Sequence, residues 1–148
     1  MPDDIDRLID SLADLVRRHR NLTVRLARET GLAASHMAVL ATLGRLGEVR
    51  LHALADELFV DPSVVSRHIS ALEQEGCIDR RPDPADARAA LIRLSHSGEA
   101  ALSGVRERRR RHLQSAMADW TQPEVAALAT TLQTVAPLLD QATSEVSE

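Results

Sequence analysis

The segment from Leu51 to Ser97 constrains the fold of this chain more than any other stretch. It contains a short amphipathic run, a break at Phe59-Val60-Asp61-Pro62, and a second amphipathic run that ends at Gly76. The break predicts a helix start, because aspartate accepts hydrogen bonds from free amides of the first turn and proline suits a first helical position. Glycine commonly follows the end of a helix, where the backbone turns left-handed. We therefore predict two helices joined by a tight turn.

The second of these helices has one apolar face and one face of small, hydroxylated residues. Val65, Ile69 and Leu72 recur at the spacing of a buried helical stripe. The opposite face carries three serines and one arginine: Ser63, Ser66, Ser70 and Arg67. Such a face suits a helix that lies in the major groove of DNA, because small side chains allow close approach and arginine can bind two acceptors of guanine at once.

Two short extended runs follow this helix and predict a β-hairpin. They cover residues 78–81 and 89–94, and the residues between them, Pro82-Asp83-Pro84-Ala85-Asp86, are typical of a turn. Helix, turn, helix and a hairpin with arginines near its tip together indicate a winged helix, in which the hairpin is the wing.

The arginines of the hairpin are candidate DNA contacts. We expect Arg88 to enter the minor groove and read its width and negative potential, with Asp86 pairing with Arg88 to fix its direction. Of Arg80 and Arg81, one is expected to reach a backbone phosphate and the other to bridge to Glu73 or Asp79.

The same segment resembles the MarR family of bacterial transcription regulators. The resemblance is carried by Ser63-Val64-Val65-Ser66-Arg67, Leu72-Glu73-Gln74-Glu75-Gly76, Arg80, Asp86-Ala87-Arg88 and Leu94-Ser95-His96-Ser97-Gly98. It implies a homodimeric winged-helix protein that binds double-stranded DNA, often a repressor released by a small ligand or by oxidation. The chain departs from the family pattern at Ala87, Phe59 and Arg50, where the family usually has arginine, glycine and a hydroxyl residue.

Long helices are predicted on both sides of the winged helix. They cover about 5–28, 32–46 and 95–118, and a last helix begins at the capping box Thr121-Gln122-Pro123-Glu124. We predict a mainly α fold with a small β-hairpin wing (α+β), in one domain of 148 residues. Residues 32–97 form the DNA-binding lobe, and residues 1–30 and 98–148 form a dimerisation lobe. The first helix exceeds what a small winged helix needs, so we expect a second subunit to cover apolar residues of the outer helices: Leu8, Leu12, Leu128, Leu132, Val135 and Leu139.

The charge balance limits how the protein can bind DNA. All eighteen basic residues are arginine, against twenty-two acidic residues, for a net charge of −4. Affinity must therefore come from a few placed arginines and from two copies acting together. An alternative is a winged helix that serves as a protein-interaction module without operator binding. No apolar run is long enough for a bilayer and the N-terminus is acidic where a signal peptide would be basic, which predicts a cytoplasmic protein with no membrane partner.

The resemblance also implies an effector pocket lined by the first, second and fifth helices, for a small aromatic or anionic effector. Positions that could face it are His19, His36, Met37, Leu40, Arg109 and His112.

Other kinds of site have little support in the sequence. Cys77 is expected to be buried as a small apolar group, with a thiol-based redox sensor as the alternative. The six histidines form no short-spaced ligand pair, and no phosphate loop or nucleophile motif stands out. We therefore predict no metal, no cofactor and no enzymatic activity.

Overall fold

The computed structural model describes residues 1–145, except for the side chains of Pro2, Ala87, Asp140 and residues 142–145. Within that range the chain forms six helices and three strands. In chain order they are α1 (Pro2–Thr30), α2 (Ala34–Leu46), β1 (Val49–Arg50), α3 (Leu51–Leu58), α4 (Pro62–Gln74), β2 (Ile78–Asp83), β3 (Asp86–Leu94), α5 (His96–Ala116) and α6 (Gln122–Glu145). The prediction of a mainly helical winged helix is confirmed.

Three helices and the sheet enclose the main hydrophobic core. The stripe of α4 faces this core, since Val65, Ile69 and Leu72 have no exposed surface. The other members come from α2, α3, the strands and the residue just before β2: Val39, Leu40, Leu43, Leu54, Ala55, Cys77, Ile78 and Ile92. Because the apolar face of α4 is completely buried, its polar face must point outward.

The three strands form one antiparallel sheet in the order β1-β3-β2. Val49 of β1 pairs with Ile92 of β3. The hairpin strands are longer than predicted, and only Pro84 and Ala85 lie between them. The side chain of Asp83 closes this turn by accepting a hydrogen bond from the amide of Ala85 at 2.8 Å, so the expected five-residue turn was too long.

The second core joins α1, α2 and the first half of α5. Leu26, Ala27, Met37 and Val105 are buried there. Towards its N-terminal end α1 leaves large apolar side chains exposed: Ile5, Leu8, Ile9, Leu15 and Val16. Leu12 is half-buried. α1 ends at Gly31, whose φ of 73° is the left-handed cap expected of glycine.

The chain divides into two compact units, Met1–Arg110 and the remainder from Arg111. In the second unit Glu124 Oε2 accepts a hydrogen bond from the amide of Thr121 at 2.7 Å, as a capping box requires. α6 then runs without a break through Pro137. Its large apolar side chains are exposed (Val125, Leu128, Leu132, Leu138 and Leu139), whereas Val135 is half-buried. Within the described residues, none of the helices has the length and apolar character needed to span a bilayer.

Candidate nucleic-acid interface

The N-terminus of α4 is fixed by Asp61. Its Oδ1 accepts a hydrogen bond from the amide of Ser63 at 2.8 Å, and Pro62 occupies the first helical position. The hydroxyl and amide of Ser63 hold the pKa of Asp61 below its ordinary value, so this carboxylate stays charged. The predicted cap is therefore confirmed, and it sets where the outward face of α4 begins.

That outward face has the composition predicted for a helix in a groove. Ser63 and Arg67 are exposed, and Ser66 and Ser70 are half-buried. Among the described residues Arg67 has no hydrogen-bond or ion-pair partner, and its charge acts on the nearby Asp61 carboxylate. The guanidinium of Arg67 is thus available to a partner outside the chain.

Arg80, at the base of the wing, is tied back to α4. Its Nη2 donates to Ser70 Oγ at 3.1 Å, and its Nε lies 2.8 Å from Glu73 Oε2. The bridge to Glu73 was expected for one of the two arginines that open the hairpin. It fixes the position of β2 against the C-terminal half of α4.

Arg81 is held by a carboxylate that the sequence did not point to. Its Nε donates to Glu48 Oε1 at 2.6 Å, and Nη2 donates to the other oxygen of the same carboxylate. The guanidinium of Arg81 holds the pKa of Glu48 below its ordinary value. Because Nε and Nη2 of Arg81 both bind Glu48, this arginine joins the wing to the residue before β1. It is less available to an anion outside the chain than an unpaired arginine.

Arg50 and Asp83 form a similar ion pair at the wing turn. Arg50 Nε donates to Asp83 Oδ2 at 2.6 Å, although the two residues are 33 positions apart. Asp83 is 7% exposed, and its pKa is lowered by the amide of Ala85 and by Arg50. This pair was also missed, since it depends on β1 and β2 both lying beside β3.

At the tip of the wing, Asp86 contacts the backbone of Arg88 and not its guanidinium. Asp86 Oδ1 accepts a hydrogen bond from the amide of Arg88 at 3.0 Å. The expected side-chain pair is therefore corrected: a carboxylate two residues earlier reaches the amide more readily than the distant guanidinium. Arg88 is exposed, and its guanidinium has no ion pair with any described residue. The side chain of Ala87, one of the departures from the family pattern, lies outside the described part.

The arginines of this surface therefore fall into two groups. Arg50, Arg80 and Arg81 have carboxylate partners within the chain, whereas Arg67 and Arg88 have none among the described residues. The groups differ in what they can do: the first holds the wing in place, and the second is free to bind an external anion or base edge.

A cavity of about 580 Å³ lies within the first unit, between α1, α2 and the first half of α5. Of the predicted effector positions, His19, Met37 and Arg109 line this cavity. Two more arginines line it as well, Arg45 and Arg106. Sequence reasoning missed them, although Arg45 lies two helical turns after Met37 on the same face of α2.

The other predicted effector positions lie elsewhere. Leu40 is 1% exposed in the main core. His36, one turn before it, faces α4, with its ring 5.4 Å from that of His68 and its Nδ1 3.8 Å from Glu75. Burial, followed by the charges of His36 and Arg67, lowers the pKa of His68. Residues four apart share a helix face, so His36 and Leu40 turn away from the cavity together. His112 belongs to the second unit.

Cys77 has the environment of a structural cysteine. It is 8% exposed, and burial raises the pKa of its thiol. Since the thiolate is the reactive form, this setting disfavours oxidation. Among the described residues there is also no cluster of three or more metal-ligating side chains.

A family model and several transcription regulators match this chain in sequence. A family model described as "MarR family" matches residues 32–90. The HTH-type transcriptional regulator ML2140 of Mycobacterium leprae is 31% identical over 113 residues, which cover 72% of this chain and 79% of that protein. YdgJ of Bacillus subtilis, also an HTH-type transcriptional regulator, is 27% identical over 95 residues, and the match spans 64% of this chain but only 58% of that relative.

Solved structures of MarR from E. coli share the fold. The wild-type protein in its apo form has a TM-score of 0.74 at 25% identity, with 86% of this chain and 96% of that chain covered. A MarR variant in complex with operator DNA has a TM-score of 0.65 at 24% identity, with 87% and 94% covered. The matched helix-turn-helix region, the mycobacterial relative and the shared fold together show that this chain belongs to the MarR family, whose members are DNA-binding transcription regulators and not enzymes.

Proposed function

We propose that the protein is a ligand-responsive repressor that binds a pseudo-palindromic operator as a homodimer. In this proposal α4 enters the major groove with Ser63, Ser66, Arg67 and Ser70 facing the base edges. Arg88 enters the adjacent minor groove, with Asp86 holding its backbone. Arg80 and Arg81 hold the wing in position beside the DNA backbone.

The observation that carries this proposal is the division of the arginines. Arg67 and Arg88 are exposed and have no ion-pair partner among the described residues. They lie on the two elements that a winged helix presents to DNA. The neighbouring Arg81 is already bound at two positions by Glu48.

The homodimer is supported by the apolar surface of the outer helices. Leu8 is 46% exposed and Leu132 is 44% exposed. Exposed apolar stripes of this length usually mark an interface. A dimer also explains how a chain with a net charge of −4 could bind DNA, because two copies that each contribute a few contacts bind far more tightly than one. In the dimer the two α4 helices would contact major grooves about 34–36 Å apart, one turn of the duplex.

The ligand response is supported by the cavity. Its lining combines apolar side chains such as Leu26 and Met37 with the cations Arg106 and Arg109. A third arginine of the lining, Arg45, is already paired with Glu57. This chemistry fits a small aromatic anion. A ligand that binds one arrangement of the helices better than another shifts the population towards it, and thereby changes the spacing of the two DNA-binding elements.

The test begins with selection of duplexes from a random pool by the purified protein, followed by affinity measurements on the selected operator. Inserting about five base pairs between the half-sites, half a helical turn, is expected to abolish tight binding. Arg88→Ala is expected to weaken binding, and Arg93→Ala, the matched control, is expected to leave it unchanged. Arg93 carries the same charge at the base of the wing and is paired with Asp79.

Several results would contradict the proposal. They are a monomer in light scattering, failure to select any sequence, or unchanged affinity in Arg88→Ala. The effector is tested separately with a panel of phenolic carboxylates, which should release operator from the wild type but not from Arg109→Ala.

A second candidate is a winged helix that acts as a protein-interaction module. It is favoured by the net charge of −4 and by the carboxylates that neutralise Arg50, Arg80 and Arg81. This alternative predicts that the selection recovers no preferred sequence and that weak binding to random DNA disappears at physiological salt.

A further inference from the structure

Phe59 combines a left-handed backbone with an exposed aromatic ring. The backbone conformation ends α3, because the amides of Phe59 and Val60 each donate a hydrogen bond of 3.1 Å to a carbonyl of its last turn, whereas no described residue covers the ring. Phe59 lies in the turn between α3 and α4 with φ 52° and ψ 41°, the one described non-glycine residue with a positive φ. Its side chain is 93% exposed. A left-handed backbone is strained for a residue with a side chain, and glycine usually takes such a position. Exposure of a large aromatic ring to water is unfavourable as well.

The position of Phe59 indicates what could compensate. It precedes the cap of α4 by two residues and Ser63 by four. In helix-turn-helix proteins the N-terminal residues of the recognition helix contact base edges. With α4 in a major groove, a large side chain on the turn directly before that helix would lie at the edge of the groove. Val60, the next residue, is 39% exposed and extends the apolar surface.

The chemistry of the ring selects one partner in that groove. Phenylalanine has no donor or acceptor, so it cannot read the hydrogen-bonding pattern of a base. The one apolar feature that a base pair presents in the major groove is the 5-methyl group of thymine. Contact with that methyl group would remove both apolar surfaces from water.

We propose that Phe59 is a specificity-determining residue whose ring packs on the methyl group of a thymine in each half-site. This inference rests on the proposed function, since it needs α4 in the major groove. The contact of Phe59 would give the protein a preference for thymine in addition to the bases read by Arg67. The left-handed conformation at position 59 belongs to the end of α3, and the contact of the ring with DNA explains why phenylalanine stands where glycine would be more stable.

The test uses duplexes selected by the wild-type protein, in which each thymine is replaced in turn by deoxyuridine, which lacks only the methyl group. At one position in each half-site the wild type is expected to lose about threefold to fivefold in affinity, the value of one buried methyl group. Phe59→Gly loses this contact in both half-sites of the dimer, so it is expected to bind the thymine duplex about ninefold to twenty-fivefold more weakly than the wild type and to show no further loss with deoxyuridine. Phe59→Leu, which keeps an apolar side chain, is expected to retain part of the thymine preference.

A folding defect is distinguishable from loss of the contact. Phe59→Gly should unfold at a higher temperature than the wild type, because glycine adopts the left-handed conformation without strain. The inference is overturned if Phe59→Gly binds thymine duplexes as tightly as the wild type, or if deoxyuridine weakens both proteins equally. If Arg67→Ala loses affinity while Phe59→Gly does not, only this inference fails. If the wild type selects no sequence, the proposed function fails with it.

Discussion

Two glycines of α5 should respond in opposite directions to the same substitution. A Cβ at Gly98 would lie 2.0 Å from the carbonyl oxygen of Cys77, so the start of β2 and the first turn of α5 would have to separate by more than an ångström. The same oxygen accepts the amide hydrogen bond of Ser95 at 3.0 Å, which joins α5 to the wing. Overpacking of this kind costs about 1–3 kcal/mol. At Gly104 a Cβ meets nothing within 4 Å, so alanine should stabilise the helix by about 0.5–1 kcal/mol.

The assay is thermal and denaturant unfolding of Gly98→Ala and Gly104→Ala beside the wild type. All three proteins are compared at one protomer concentration, because assembly raises apparent stability. For a chain of this size each kcal/mol moves Tm by roughly 2–4 °C. Gly98→Ala is expected to melt several degrees below the wild type and Gly104→Ala slightly above it. Equal stability of Gly98→Ala and the wild type would refute the close packing of α5 against the base of the wing.

Three further predictions concern the charges and the thiol of the winged helix. Glu48→Gln should release Arg81, so binding to random DNA should tighten. The logarithm of the association constant should also fall more steeply with the logarithm of the salt concentration, by about 0.9 for each added phosphate contact. Asp83 has a lowered pKa in the fold, so its contribution to stability is present above its ordinary value of 3.8 and is lost as the pH falls through the lower folded value. Between pH 5 and pH 2 the free energy of unfolding should accordingly fall less in Asp83→Asn than in the wild type. Cys77 should react with a thiol reagent only as the protein unfolds, and peroxide should not release operator; rapid labelling of the native protein would instead support a redox sensor.

Local patterns in the sequence were sufficient to predict the elements that present the candidate interface. The stripe of Val65, Ile69 and Leu72 depends only on helical periodicity, and the cap at Asp61 depends on residues two positions apart. Each of these features is determined by neighbours in the chain, which is why one sequence reveals them.

Contacts between distant segments could not be predicted in the same way. Glu48 and Arg81 are 33 positions apart, and they meet only because β1 and β2 lie on opposite sides of β3. The cavity depends on how α2 is rotated: Met37 faces α1, whereas His36, one residue earlier, faces α4. Neighbouring residues of a helix point about 100° apart, so a shift of one residue in the predicted face changes which side chain reaches a ligand.

The ratio of affinities for selected operator and random duplex shows whether the guanidinium of Arg67 reads bases. At one salt concentration this ratio is measured for the wild type, Arg67→Ala and the control Arg93→Ala. A lost bidentate contact removes about 1–3 kcal/mol of discrimination per half-site, and so about 2 kcal/mol or more for the two half-sites of a dimer. The ratio should therefore fall by about thirtyfold or more in Arg67→Ala and stay unchanged in Arg93→Ala. If Arg67→Ala has the same ratio as the wild type, Arg67 does not read bases.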